Sequence, residues 1–484
     1  MGLKKNFIYN SILFLSQYVF PLITFPYISR VFGVEKVGLV NFTDSVVEYF
    51  VLLSLMGIGL VGLRECAKYK KDKDGLNKAF SGLLITHFLN TLIFLVVYLL
   101  LISFLDRFQE NRTLFYIGAS KILFCVFNVE WFYKGIENFR FITLRFLAVK
   151  ILYVAAVFIW VKTPDDYIIY YALICGMTIL NAFISIFCLK GRVSFVMKNI
   201  KFRQYLTPFY TIGFYAILTT LYTTLNIVFL GMYASDASVG NYSAALKLYM
   251  IIVGVFSALN IVLMPRLSFL HKDNQPKFFD DLINKSMTFV ITLSFPLIFL
   301  CGSLASEFIT VLAGREFSGA IACFQIIIPL VFIIGMSQIF ANQILMSIKK
   351  DKELIIASTI GGIISIILSI FFVPIYKESA TSYILLFSES IVMILLFCYS
   401  RKFYNIQIPL RFIGKNLICS FPYLLLGYGC NLLISNNIIA LFVAGIIACL
   451  YFFISQYYFI KNEIVNQQMI FLVKRIWNKT HRNY

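Results

Sequence analysis

Long apolar windows alternate with short polar segments along the whole chain. The windows fall at 7–32, 38–63, 79–105, 114–133, 141–161 and 167–189, then at 207–233, 241–264, 286–308, 319–347, 354–373 and 379–398, with two more at 416–434 and 438–459. A bilayer core of about 30 Å is crossed by about 20 apolar helical residues, so each window is long enough for one crossing. The pattern predicts an all-α polytopic membrane protein of about fourteen transmembrane helices.

Composition agrees with that solvent. Of 484 residues, 60% are hydrophobic, 17% aromatic and only 13% charged, and the mean hydropathy is +0.84, beyond the range of a soluble globular domain. The formal charge of +19 would suggest nucleic acid in a soluble chain. Here the cations sit between apolar spans, so they read as topology, with attraction to membrane lipids as a by-product and no nucleic-acid partner. When the connecting segments are assigned alternately to two sides, 32 of the 42 Lys and Arg fall on one side, seven on the other and three inside spans. Lys and Arg collect on the cytoplasmic side, which predicts that both termini are cytoplasmic. "MGLKKNFIYNSILFLSQYVF" starts like a signal peptide, but its apolar run continues to residue 32 with no small-residue cleavage site, so it is expected to remain as the first span. The ten cysteines lie within or at the ends of apolar stretches with no CxxC pattern, and are read as free thiols rather than metal ligands.

The two halves of the pattern resemble each other. In "EKVGLVNF" Gly38 precedes Arg64 by 26 residues, and in "DASVGNYS" Gly240 precedes Arg266 by the same 26, giving an offset of 202. "ILMSIKKDKELIIAS" ends the tenth window as "WFYKGIENFRFITLR" ends the fourth. A duplication predicts an N-terminal six-helix bundle over 1–200, a second over 201–400, and two further helices with a basic cytoplasmic tail over 401–484.

Charge at membrane depth is costly enough to be functional by default. Lys121 and Lys247 lie roughly 10 Å inside the outer boundary at 1.5 Å per residue, Lys150 is nearer mid-span, and Arg30 is close enough to the end of the first window to snorkel to the headgroups. Among the acids, Asp44 and Glu48 share one face of the second span at i, i+4, and Glu389 is mid-span in the twelfth. They would either carry H⁺ or Na⁺ or neutralise a lysine. With the 202-residue offset, Lys247 corresponds to Ser45, beside Asp44, which predicts an Asp44–Lys247 ion pair in an inward-open state. His87 reads as a hydrogen-bonded packing residue, and Pro21 and Pro26 predict a bend in the first span.

The charged stretch "EWFYKGIENFRFITLR", residues 130–145, reads first as a tight cytoplasmic turn. Lys134, Arg140 and Arg145 would hold it inside, Trp131 and Tyr133 would sit at headgroup level, and Gly135 would permit the turn. The same stretch is very similar to the signature of bacterial polysaccharide flippases, the O-antigen (Wzx-type) transporters, within the superfamily that also holds multidrug exporters and the lipid II flippase. "RVFGVEKVGLVNFTDSVVEYFVLLSLMGIGLVGLRECAK" resembles the family's first external loop, second span and closing motif. The matching residues are Gly62, Arg64 and Glu65 in the first motif and Glu130, Trp131, Gly135 and Glu137 in the second.

The resemblance implies two pseudo-symmetric six-helix bundles around a central cavity in the bacterial inner membrane. It also implies a cargo of polyprenyl-diphosphate-linked oligosaccharide carried outward by alternating access, with a polysaccharide polymerase and glycosyltransferases as functional partners. An anionic diphosphate needs cations, so Arg30, Lys121, Lys150 and Lys247 are the candidate diphosphate ligands, and Asp44, Glu48 and Glu389 the candidates for ion coupling or a gate, with no organic cofactor. The rival within the superfamily is a cation-coupled multidrug exporter, whose cargo would want an anionic cavity. A membrane glycosyltransferase or polymerase would need acid, base or metal ligands in a sizeable external loop, whereas the external segments run to only about five to ten residues without paired Asp.

Overall fold

The computed structural model describes residues 3–196 and 203–462; the basic tail from 463 onward and positions 197–202 of the basic segment before the seventh window lie outside the described residues. Every regular element among the described residues is a helix. Eleven helical runs are long and apolar enough to cross a membrane. The protein is an all-α integral membrane protein.

Two of those runs, Tyr9–Lys68 and Asp351–Phe403, are 60 and 53 residues long, far more than the roughly 20 residues one crossing needs. Each contains a non-helical residue, Gly33 (φ 69°, ψ −179°) in the first and Lys377 (φ 49°, ψ −129°) in the second. Both breaks fall where the apolar pattern is interrupted, between 32 and 38 and between 373 and 379. Arg203–Tyr233, the predicted seventh span, is helical but is not one of the eleven. The runs alone therefore do not count to fourteen crossings.

The chain forms two compact units. The first comprises Met1–Lys247 and Ile355–Ser388. It contains α1 (Leu3–Leu55), α2 (Ile58–Lys68), α3 (Lys73–Phe104), α4 (Asp106–Gln109), α5 (Arg112–Phe124), α6 (Glu130–Gly135), α7 (Phe139–Trp160), α8 (Tyr167–Phe187), α9 (Arg203–Tyr233) and the start of α10 (Asp236–Lys272). Helix α1 packs on α5, α7 and α9, and α2 packs on α6. Pro21 and Pro26 both stay inside α1, and the non-helical residue is Gly33, which can adopt a positive φ without a Cβ clash. The second span is interrupted at Met56 and Gly57, between α1 and α2. There a Cβ on Gly57 would stand 2.4 Å from the Phe209 carbonyl oxygen, so the interruption sits where α9 approaches backbone to backbone.

The second unit comprises Leu248–Leu354 and Glu389–Tyr484. It holds the rest of α10, α11 (Pro276–Ser303), α12 (Ala305–Leu312), α13 (Gly319–Ile327), α14 (Leu330–Gln338), the end of α15 (Asp351–Phe403), α16 (Leu410–Leu433) and α17 (Asn437–Ile454). Helix α14 continues as a π-helical segment, Ile339–Leu345, beside a buried amide network. Asn260 Nδ2 donates to Gln338 Oε1 at 2.6 Å, and Gln343 Nε2 donates to Asn260 Oδ1 at 2.6 Å. Pairing amides with each other satisfies polar groups that hydrocarbon cannot. A second such network joins α16 to the end of the described chain, where Gln456 donates to Asn416 at 3.0 Å and Asn462 to Thr292 at 2.9 Å.

Candidate functional site

Asn41, Asp44 and Glu48 follow one another at i, i+3 and i+7, the spacing that places side chains on one face of a helix. Helix α5 presses onto the same helix at Gly118, where a Cβ would meet Val47 Cγ2 at 2.4 Å. One turn further on, Lys121 reaches the acidic face. Its Nζ lies 2.7 Å from Asp44 Oδ1 and 2.5 Å from Glu48 Oε1. Lys121 is 6% exposed, whereas the Asp44 and Glu48 side chains are 28% and 49% exposed. The lysine is thus enclosed, and its two counter-charges look outward from it.

The other two buried-depth lysines adjoin this group without joining it. Lys247 donates to Asn41 Oδ1 at 3.3 Å and stands 4.1 Å above the Phe25 ring. Asn41 is held for this by donating its own amide to the Val37 carbonyl at 2.8 Å. Lys150 lies 5.4 Å from the Tyr153 ring and 5.8 Å from that of Phe146, and is within electrostatic reach of Lys121 and Asp44. Lys247 is likewise within reach of Asp44. The expected Asp44–Lys247 pair is not the contact in this structure. Asp44 pairs with Lys121, and Lys247 meets the amide one turn closer to Gly38.

Arg30 is exposed and its Nη1 donates to the Pro26 carbonyl four residues back, at 2.5 Å. Glu389 is buried, as a member of the second unit. His87 is fully buried, but neither ring nitrogen has a hydrogen-bond partner among the described residues, so it packs without the bond expected of it.

The signature holds a turn at Ile136 and Glu137, with Glu137 and Arg140 exposed, but most of it is packed. Trp131 and Tyr133, expected at headgroup level, are buried, and so is Arg145. Position 62 must be glycine because the Trp131 ring occupies the space of a side chain there, with Cε3 2.5 Å from a would-be Cβ. Gly135 in turn lets α6 lie on α2, where its Cβ would meet Cys66 Cβ at 2.5 Å. Phe80 stacks on Trp131 with ring centroids 5.5 Å apart. Glu130 neutralises Lys134 at 2.8 Å and faces Arg145 at 3.8 Å, while Arg145 also bonds Ser185 Oγ and Tyr133 donates to the Ser185 carbonyl at 2.7 Å. Glu137 pairs with Lys70 at 3.0 Å. Arg64 is exposed and Glu65 half-exposed. The two motifs are therefore largely halves of one packed joint between α2 and α6.

Sequence reasoning missed a contact between α1 and the start of α10. Gly38 and Gly240, the two repeat landmarks, meet each other: a Cβ on Gly38 would lie 1.7 Å from the Asp236 carbonyl oxygen, and one on Gly240 would lie 2.1 Å from that of Val34. Arg107 forms an ion pair with Asp236, donates to the Gly231 carbonyl at 3.0 Å and lies 5.3 Å from the Phe42 ring centroid. From sequence, Arg107 counted only as an outer-side cation. The equal spacing of the two glycines was the available signal. Asn41 was missed as well, because only charged residues were sought.

Residues 3–271 match the family described as polysaccharide biosynthesis protein. A candidate O-antigen transporter of Escherichia coli (strain K12) is 25% identical over 416 residues, which cover 83% of this chain and 97% of that protein. Among solved structures, the lipid II flippase MurJ in an inward closed conformation superposes with a TM-score of 0.74 at 18% identity, over 95% of this chain and 99% of that one. An inward-facing multidrug resistance transporter of the MATE family matches less closely, with a TM-score of 0.59 at 13% identity over 81% of this chain and 97% of that one. At such identities the structures speak for the fold. The family match spans more than half of the chain and includes both motifs and all three clustered lysines, so the chain belongs to the polysaccharide biosynthesis protein family.

Proposed function

We propose that this protein moves polyprenyl-diphosphate-linked oligosaccharide from the cytoplasmic to the outer leaflet of the bacterial inner membrane by alternating access. It would act between the glycosyltransferases that build the unit and the polymerase that consumes it. The observation that carries this reading is the gathering of Lys121, Lys150 and Lys247 around one polar face of α1. Cations at membrane depth are costly unless they serve a ligand or a partner, and a diphosphate is a ligand that needs them. The family membership and the likeness to a candidate O-antigen transporter support the same cargo class.

Moving a diphosphate outward is electrically downhill in a cell with a negative interior, by about 2.3 kcal/mol per charge per 100 mV. The return of the empty, net-positive site toward the negative interior is electrically downhill as well, and a cation taken up on Asp44 or Glu48 would add to that drive. The multidrug reading is the weaker one here. Three lysines against two carboxylates leave the cluster net positive, which repels an amphipathic cation.

Reconstitution in liposomes decides between them. A polyprenyl diphosphate with a fluorescent sugar should become accessible to a membrane-impermeant quencher in a protein-dependent manner. Retention of the sugar lipid together with efflux of an amphipathic cation would replace the flippase reading by the exporter. Transport rates that are flat across imposed proton and sodium gradients would remove the coupling.

A further inference from the structure

The three clustered lysines are not equivalent. A lysine has three N–H donors, and Lys121 commits two of them to Asp44 and Glu48. That triad sums to one negative charge. Lys247 commits one donor, to the neutral Asn41 amide. Lys150 has no hydrogen bond and, like Lys247, no carboxylate within salt-bridge distance among the described residues. Both are instead set against aromatic faces, where attraction to the ring steadies the ammonium group while leaving its donors for another acceptor.

We infer that the diphosphate is taken by Lys150 and Lys247, and that Lys121 is a positioning residue that holds Asp44 and Glu48 and never contacts cargo. Two uncommitted lysines supply two positive charges, the number that a diphosphate diester carries, and five unused donors for its oxygens. Lys121 would have to break two charge-assisted bonds first and leave two carboxylates beside the incoming anion. Each such bond is replaced at best by an equivalent one, so no gain drives the exchange.

This inference rests on the flippase reading, and the following experiment separates the two. Full-length protein in nanodiscs is titrated with farnesyl diphosphate, with farnesol as the uncharged control. Losing a hydrogen bond to a charged group costs about 1.5–3 kcal/mol, so Lys150→Met and Lys247→Met should each weaken binding by about tenfold or more. Lys150→Arg and Lys247→Arg should retain most of it. The neutral triad, Lys121→Met with Asp44→Asn and Glu48→Gln, keeps the packing volumes and should bind within about threefold of wild type. Lys121→Met alone leaves carboxylates without their partner, so it should lower thermal stability, and Asp44→Asn with Glu48→Gln should restore it. The inference is overturned if the folded neutral triad loses binding as Lys150→Met does, or if both single lysine variants bind normally. Wild-type binding of farnesyl diphosphate no tighter than farnesol would instead sink the flippase reading itself.

Discussion

At Gly62 the place of a side chain is filled by an indole ring. A Cβ there would meet three Trp131 atoms at 3.0 Å or less, and overpacking of a close-fitted core costs about 1–3 kcal/mol. Gly62→Val should therefore lower the melting temperature in detergent, and Trp131→Leu in the same chain should recover part of the loss because it removes the ring. Glu137 behaves in the opposite way. It holds φ at 61°, a left-handed conformation that costs a side-chain-bearing residue roughly 1 kcal/mol. Its ion pair with Lys70 has both side chains well exposed, and such pairs contribute little. Glu137→Gly is expected to leave stability unchanged or raise it slightly, as read by thermal unfolding. A clear loss of stability would show that the Lys70 contact matters more than the backbone strain.

Between elements, the telling contact is the crossing of Gly38 and Gly240. The obstacle to a side chain at either position is a backbone carbonyl, which no rotamer change can move aside. Arg107 and Asp236 form an ion pair at the start of α10. Cysteines placed at 107 and 236, in a background lacking the ten native cysteines, should be joined by a bifunctional thiol reagent about as long as an arginine side chain. Adding Gly38→Val should abolish the crosslink by holding the helices apart. Crosslinking that persists in the Gly38→Val protein would mean that the glycine contact does not set the spacing of these helices. The first helix shows why such features escape a linear reading. Pro21 and Pro26 are its conspicuous breakers, yet both lie within α1 and the chain departs from helix at Gly33. A proline removes one donor but has a helix-compatible φ, whereas reversal needs a φ that only glycine adopts freely.

For the whole molecule, the apolar pattern and the cation bias predict an orientation that reporter fusions can test. Fusions after residues 72, 137, 273 and 351 should read cytoplasmic, and those after 35, 109, 164 and 236 external. Two or more reversed sites would refute the alternation of spans. The sequence by itself determined the solvent, the helical class and the family, because hydropathy, period and local motifs are properties of neighbours along the chain. It also marked the residues of the charged cluster, since an ionised group inside an apolar window is conspicuous wherever the window folds. Only the tertiary structure decided the partners. Asp44 met Lys121 rather than Lys247 because α5 is drawn onto α1 at Gly118, a contact between positions 71 residues and more apart that no local pattern encodes. Trp131, expected at headgroup level, is packed between helices for the same kind of reason. An indole is amphipathic enough for either place, and the space that claimed it was left by a glycine on another helix.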